Sequence, residues 1–187
     1  MSKQLYIGLM SGTSIDAIDA ALIDFSQTPL KIIATHSKPI DQTLKQDIVE
    51  LCSPGVNAIN RMGAVDVQLG RLFAKSVNAL LLSANVDAKD IKAIGSHGQT
   101  IRHMPDSDFP FTLQIGDPNI IAAHTGITTV ADFRRRDMAL GGQAAPLTPA
   151  FHQYLLNDSD KDQWILNIGG VANLTLINKN KIVGFDA

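Results

Sequence analysis

Short apolar runs alternate with polar breaks along this chain, and the spacing inside them predicts both strands and helices. Leu5 to Met10 is apolar and is broken by Ser11-Gly12-Thr13-Ser14; a second run, Ile18 to Phe25, is interrupted by Asp19 and Asp24. Two short strands around a turn of small residues are the simplest reading. Lys31 to Ser37 is a third strand candidate. From Thr43 to Cys52, the residues Leu44, Ile48, Leu51 and Cys52 keep helical spacing. Behind Asn57, a candidate N-cap, Ile59, Met62, Leu69, Leu72, Phe73, Val77, Leu80 and Leu81 follow the helical period to about Ser83.

Ile91 to Gly95 predicts a short strand running into a loop, Ser96-His97-Gly98-Gln99-Thr100, and Phe111 to Ile115 predicts another that ends at Gly116. Asp117-Pro118 then opens a short helix, Asp as N-cap and Pro at the first helical position, which closes at Thr125-Gly126. Ile127 to Phe133 reads as a strand, followed by Arg134-Arg135-Arg136-Asp137 and the loop Gly141-Gly142-Gln143. Pro146 to Leu156 reads as a helix, Asn157 to Asp162 as a polar surface loop, and Trp164–Ile168, Ala172–Ile177 and Lys181–Phe185 as three closely spaced strands. Strands mixed with helices place the chain in the α/β class.

Composition narrows this picture. With 187 residues, 45% of them hydrophobic, the chain fits one domain, or one and a part, with a real core. Sixteen Lys and Arg against eighteen Asp and Glu leave no electrostatic footprint for nucleic acid or for an anionic membrane surface. Cys52 alone forms no internal disulfide, and no Cys/His spacing suggests a metal centre. No apolar run approaches the roughly 20 residues that span a bilayer, and the N-terminus lacks the apolar stretch of a signal peptide. A soluble, cytoplasmic domain is the expectation.

Two segments echo each other. Tyr6-Ile7-Gly8-Leu9-Met10-Ser11-Gly12-Thr13-Ser14 is followed by Ala20 to Phe25, and Ile165-Leu166-Asn167-Ile168-Gly169-Gly170-Val171-Ala172-Asn173 is followed by Leu174 to Ile177. Each predicts strand, small-residue turn, strand, at the start of a run of three strands. Converging N–H groups in such turns can surround a phosphate, since no Cβ blocks the approach. A plain hairpin whose Ser and Thr satisfy the backbone locally is the alternative. The nucleotide-binding patterns G-x-x-x-x-G-K-[ST] and G-x-G-x-x-G are both absent.

Six blocks together resemble one family. Gly8-Leu9-Met10-Ser11-Gly12-Thr13-Ser14-Ile15-Asp16 is similar to the opening motif of the anhydro-N-acetylmuramic acid kinases. The likeness continues, in family order, through Gly95 to His103, Leu113 to Asp117, Ala131 to Asp137, Gly141 to Leu147 and Leu166 to Leu174. Ala17 departs from the Gly common in the opening motif.

The resemblance implies an actin-like, two-lobed ATPase fold of the ribonuclease H-like type. Each lobe is then a mixed sheet flanked by helices, with residues 1–145 as the first lobe and 146–187 as the beginning of a second. It implies ATP and Mg²⁺ as cofactors. The reaction is hydrolysis of the 1,6-anhydro bond of anhydro-N-acetylmuramate with phosphorylation of O6, in peptidoglycan recycling. It also implies a homodimer that takes a small-molecule substrate. Family members are about twice as long, and the stop at Phe185-Asp186-Ala187 reads as the middle of a strand-and-loop unit, so these residues alone are expected to be inactive.

Residue by residue, the resemblance assigns the ATP phosphates to Gly12, Thr13, Ser14, Ile15, Asp16, Ala17, Ile18 and Asp19, with Gly169 and Gly170 in the second copy. Asp186 aligns with the catalytic aspartate, a base for the attacking water. Asp16 and Asp19 are candidates to hold Mg²⁺ through water, and no protein metal cluster is expected. Ser11, His97, Gln99, Gln114, Asp117, Asp132 and Arg134 lie at predicted strand ends and loops and are the candidate sugar contacts. Arg suits the lactyl carboxylate by bidentate pairing, and Gln suits the acetamido group. An N-cap alone would account for Asp117, and a solvated charge run for Arg134 to Arg136.

Two other classes compete. One is a serine hydrolase built on Ser11 or Ser14 with His97 and an Asp, although G-x-S-x-G is absent. The other is a non-catalytic, truncated or dimerising fragment.

Overall fold

The computed structural model describes residues 3–156, 161–178 and 181–186. The strands are β1 (Leu5–Ser11), β2 (Ala17–Asp24), β3 (Lys31–Pro39), β4 (Ile91–Ser96), β5 (Gln99–Met104), β6 (Phe111–Ile115), β7 (Thr129–Val130), β8 (Gln163–Asn167), β9 (Asn173–Asn178) and β10 (Lys181–Asp186). The α-helices are α1 (Gln42–Leu51), α2 (Ala58–Ala84), α3 (Pro118–Thr125), α4 (Phe133–Ala139) and α5 (Pro149–Leu156). Contacts divide the chain into two compact units, Met1–His103 with Leu113–Asp132, and Met104–Thr112 with Phe133–Ala187. Part of the polar loop read at Asn157 to Asp162 lies outside the described residues.

In the first unit the sheet order is β3-β2-β1-β4-β7. β1, β2 and β3 form an antiparallel meander, and β4 and β7 continue it in parallel. This is the mixed sheet flanked by helices that the sequence led us to expect. Strict alternation in β1 sends Leu5, Ile7 and Leu9 into the core and Tyr6 and Met10 to the other face. The α2 residues Val65, Leu69, Phe73, Val77 and Leu80 meet Ile18, Leu22 and Ile94 in one buried cluster. At about 0.8 kcal/mol per buried CH₂, that apolar layer is what holds α2 to the sheet.

Several local expectations need correction. The strand read at Ile127 to Phe133 is confined to Thr129–Val130, because Asp132 takes a left-handed backbone (φ +63°) that ends extended structure. Phe133 to Ala139 is then helical, so Arg134 sits on a helix and not at a strand end. Gln99 opens strand β5 and does not lie in a loop. Asn57 precedes α2 but makes no side-chain cap; its backbone is left-handed (φ +56°), and its Oδ1 accepts from Asn60 Nδ2 at 2.6 Å. Asp117 does cap α3, accepting from Asn119 N at 2.8 Å, and Gly126 ends it in the left-handed conformation.

The second unit repeats the opening motif. β8, β9 and β10 form an antiparallel meander of order β10-β9-β8. The turns Gly12–Asp16 and Ile168–Ala172 both span five residues, so the echo in sequence is an echo in structure. Helix α5 packs on β9 and β10, and His152 Nδ1 meets Thr175 Oγ1 at 2.9 Å across that contact. Gly184 is needed there, since a Cβ would lie 2.4 Å from Pro149 Cγ.

Candidate functional site

Parallel β1 and β4 end side by side, so the loops after both strands leave the same edge of the sheet. In open α/β sheets, ligands bind at that carboxyl edge. Ser11 closes β1 there; it is 1% exposed, and its hydroxyl donates to Gln99 Oε1 at 2.5 Å. Gln99, itself 1% exposed, donates from Nε2 to Thr100 O at 3.1 Å. Gln114 Nε2 donates to Thr100 Oγ1 at 3.1 Å. Thus Ser11 and Gln99, both buried, and the half-buried Gln114, far apart in sequence, join one polar network through Thr100. His97 is tied in by its backbone, N–H to Leu9 O at 2.9 Å, and its Nδ1 lies 2.9 Å from Gly98 O.

The backbone around this network is tightly specified. Gly98 has φ +71°, and a Cβ there would lie 2.7 Å from Ile115 O. Gly116 has φ +113°, and its Cβ would lie 2.7 Å from the Phe73 ring. Asp117 follows directly, with both of its contacts to Asn119 made through Oδ1. Asp132 follows β7 after one residue, at the same carboxyl edge.

The Gly12–Asp16 turn carries its own strain. Ile15, β-branched, holds φ +52° while its side chain is buried in the core, and Ile15 N donates to Gly12 O at 3.1 Å. Such a conformation costs about 1–3 kcal/mol and persists where the surroundings over-determine it, often at ligand-binding turns. A Cβ on Gly12 would find only Ser14 Oγ, at 4.0 Å, so the turn is open to close approach. Asp16 pairs with Lys45 at 2.6 Å. Lys45, aided by Ser14, holds the Asp16 carboxyl below the usual carboxylate range. Asp19 and His97 line a shallow concavity of about 520 Å³ with Gly8, Met10, Ser37 and Gly95. That hollow crosses the sheet face, and neither Ser11 nor Gln99, at the strand ends, lines it.

In the second unit the geometry brings Arg134 and Asp186 into electrostatic reach. Burial lowers the Arg134 pKa, and the Asp186 carboxylate opposes that shift. Arg134 donates to Ala144 O, while Asp137 Oδ2 accepts from Ala144 N at 2.8 Å, so α4 and the Gly141–Ala144 loop form one closed element. Asp186, at the exposed end of β10, stands opposite Asn173, which stands opposite Asn167 on β8. Asn173 Oδ1 is buried with no hydrogen-bond partner, as is Ser96 Oγ in the first unit. A Cβ on Gly169 would meet only Val171 O at 3.5 Å, so this second turn is also open. Sequence reasoning misses Asn173, Asp137 and Asp66. Of these, Asp66 leaves a signal, a charged residue on the apolar stripe of α2.

Each unit thus offers groups that suit a polar, anionic small molecule. The first has an open Gly turn and buried amides; the second has an open Gly turn, an Arg and one exposed carboxylate. Among the described residues no three or more His, Cys, Asp or Glu gather as a metal cluster, and no helix is long and apolar enough to cross a membrane. The Ser11 hydroxyl pairs with Gln99 and not with a histidine, an arrangement that does not favour a hydrolase nucleophile.

A family model described as anhydro-N-acetylmuramic acid kinase matches residues 4–187. A protein of that name from Coxiella burnetii is 61% identical over 189 residues, covering all of this chain and 50% of the relative. Another, from Shewanella amazonensis, is 55% identical and is covered to 51%. The chain therefore spans about half the length of the curated relatives it matches. A solved Ppx/GppA family protein of Aquifex aeolicus superposes with a TM-score of 0.50 at 8% identity, covering 99% of this chain and 51% of that one. That is a likeness of fold, and it agrees with the actin-like α/β architecture expected from the sequence.

Proposed function

The chain belongs to the anhydro-N-acetylmuramic acid kinase family, and we propose that the whole protein converts 1,6-anhydro-N-acetylmuramate, water and ATP to N-acetylmuramate 6-phosphate and ADP. The observation that carries this reading is the repeated five-residue turn, Gly12–Asp16 and Ile168–Ala172, each open to a phosphate and each heading a three-stranded meander. In this reading residues 1–145 form the first actin-like lobe and 146–187 open the second. The same proposal takes peptidoglycan recycling as the setting, the cytoplasm as the location and a homodimer as the assembly.

The placement supports the following roles. Backbone N–H groups of Gly12, Thr13, Ser14, Asp16 and Ala17 and of Gly169 and Gly170 face phosphate oxygens, while the Ile15 N–H closes the turn onto Gly12 O; Ile18, buried, anchors the strand that carries Asp19. Thr13 and Ser14 add hydroxyl donors. Asp19 is the better placed of the two carboxylates to hold Mg²⁺ through water, since Asp16 is engaged by Lys45. Mg²⁺, when bound, neutralises charge on the transferring phosphoryl group. Ser11, Gln99 and Gln114 form a rigid polar floor for the sugar, with His97, Asp117 and Asp132 as further contacts. Arg134 pairs with the lactyl carboxylate. Asp186 accepts a proton from the water that attacks the anomeric carbon. The electron pair of the broken anhydro bond passes to O6, which attacks the γ-phosphate as ADP leaves.

The test is to incubate the whole protein with ATP, Mg²⁺ and the anhydro-sugar and to follow ADP and sugar phosphate together. Equal formation of both supports the proposal. ADP without sugar phosphate, or neither product, removes it.

A further inference from the structure

The apolar period of α2 marks it as a core helix, yet one of its faces meets the candidate site. Asp66, Gly70 and Phe73 stand at i, i+4 and i+7, one stripe of a helix. All three meet the turn of Gly116 and Asp117. Asp66 Oδ1 accepts the Gly116 N–H at 2.6 Å, and Asp66 O accepts the Asp117 N–H at 3.3 Å. Gly70 lies so close that a Cβ on it would sit 2.9 Å from Asp117 O and 3.2 Å from Asp117 N. The Phe73 ring fills the space where a Gly116 side chain would be.

A carboxylate in this place is costly. Its neighbours along α2, Val65 and Leu69, are buried hydrophobics, and burial pushes the Asp66 pKa up, with Asp117 adding to the rise. A helix that needed only to pack would carry an apolar residue here. What the carboxylate does is satisfy the Gly116 N–H, which lies in a turn that no helix or sheet ladder serves. Charge assistance makes that bond short and strong.

We propose that Asp66 is a positioning residue for sugar binding: by gripping the Gly116–Asp117 turn from α2, it fixes the direction in which the Asp117 carboxylate meets the substrate. This rests on the reading of Asp117 as a sugar contact. Asp66 touches no substrate itself.

The experiment uses the whole protein and measures kcat, KM for anhydro-N-acetylmuramate, KM for ATP and melting temperature for wild type, Asp66→Ala, Asp66→Asn and Asp117→Ala. Asp66→Ala should raise the sugar KM about 10-fold, the scale of one lost hydrogen bond to a charged group, with the ATP KM within about 2-fold of wild type. Asp66→Asn should recover most of the loss, since an amide oxygen accepts the same N–H. If Asp66→Ala does not fold, Asp66→Glu is read in its place, because the extra methylene must push the turn. An unchanged sugar KM in a folded Asp66 variant, where Asp117→Ala does raise it, overturns the inference. Equal rises in both KM values alongside a fall in melting temperature also overturn it, as a purely structural role. An unchanged sugar KM in Asp117→Ala overturns it through its premise. No turnover by wild type overturns the functional reading itself, an outcome distinct from the others.

Discussion

Two glycines on one helix should respond in opposite ways to the same substitution. Gly63 and Gly70 both lie inside α2, and Ala at either position gains about 1 kcal/mol in helix propensity. A Cβ on Gly63 has nothing within 4 Å, so Gly63→Ala should keep that gain. A Cβ on Gly70 would lie 2.9 Å from Asp117 O, 3.2 Å from Asp117 N and 3.2 Å from Ile120 Cβ. Two of those three atoms are backbone, in a segment held by Asp66 and capped by Asp117, so they cannot swing away. Overpacking of this kind costs about 1–3 kcal/mol. Setting it against the propensity gain leaves Gly70→Ala destabilised by about 1 kcal/mol, and the two variants differ by about 2 kcal/mol. For a chain of this size that separates their melting temperatures by roughly 4–8 °C. Thermal or urea unfolding followed by far-UV circular dichroism reads the difference. Equal stabilisation by both substitutions would refute the close approach of α2 to the Asp117 turn, and with it the platform that positions the site.

Other expectations follow from the same geometry. Ser11→Ala removes the donor to Gln99 Oε1 and leaves a buried acceptor unsatisfied, so it should cost about 1–3 kcal/mol of stability by denaturant unfolding. Gln99→Leu in the same background should recover part of that loss in a double-mutant cycle. Asp24 accepts the backbone N–H groups of Ser26 at 2.9 Å and Gln4 at 3.1 Å, and the Ser26 bond foremost holds its pKa below the ordinary aspartate value. A lowered folded-state pKa contributes stability above the unfolded value and loses it as pH falls through the folded one. The melting-temperature advantage of wild type over Asp24→Asn should therefore hold at about pH 6 to 7 and shrink below about pH 4. In the whole protein, Asp186→Asn should lower kcat about 10²–10⁴-fold, the usual worth of a general base, with little change in ATP binding; a near-normal kcat would remove Asp186 from that role.

Much of this is legible in the residues. The alternation of Leu5 to Ser11 and the period of α2 mark the core because burial alone decides those positions. The cap and stop of α3 are legible because Asp117, Pro118 and Gly126 act locally. The echo between the two turns is legible because glycine and small residues at matched places reflect a backbone need. What stays hidden depends on distant contacts. Gln99 looks like a loop residue because the partner of its buried amide oxygen is Ser11, 88 positions away. Arg134 to Arg136 give no helical period, and the strand before them ends on the backbone of Asp132, a choice no side-chain pattern announces. Asp66 escapes notice because its apolar neighbours on the helix dominate the pattern. Arg102, inside a block that resembles the family, closes the end of α1 by donating to Leu51 O at 3.4 Å and to Cys52 O, a structural role.

In the proposed reaction, water opens the anhydro ring while O6 takes the phosphoryl group. Running the reaction of the whole protein in H₂¹⁸O and analysing early product by mass spectrometry tests it directly. The expected product carries one ¹⁸O on the sugar carbon skeleton of N-acetylmuramate 6-phosphate and none on its phosphate. Labelled inorganic phosphate in place of labelled sugar would show that water attacks ATP instead, and would rule this reaction out.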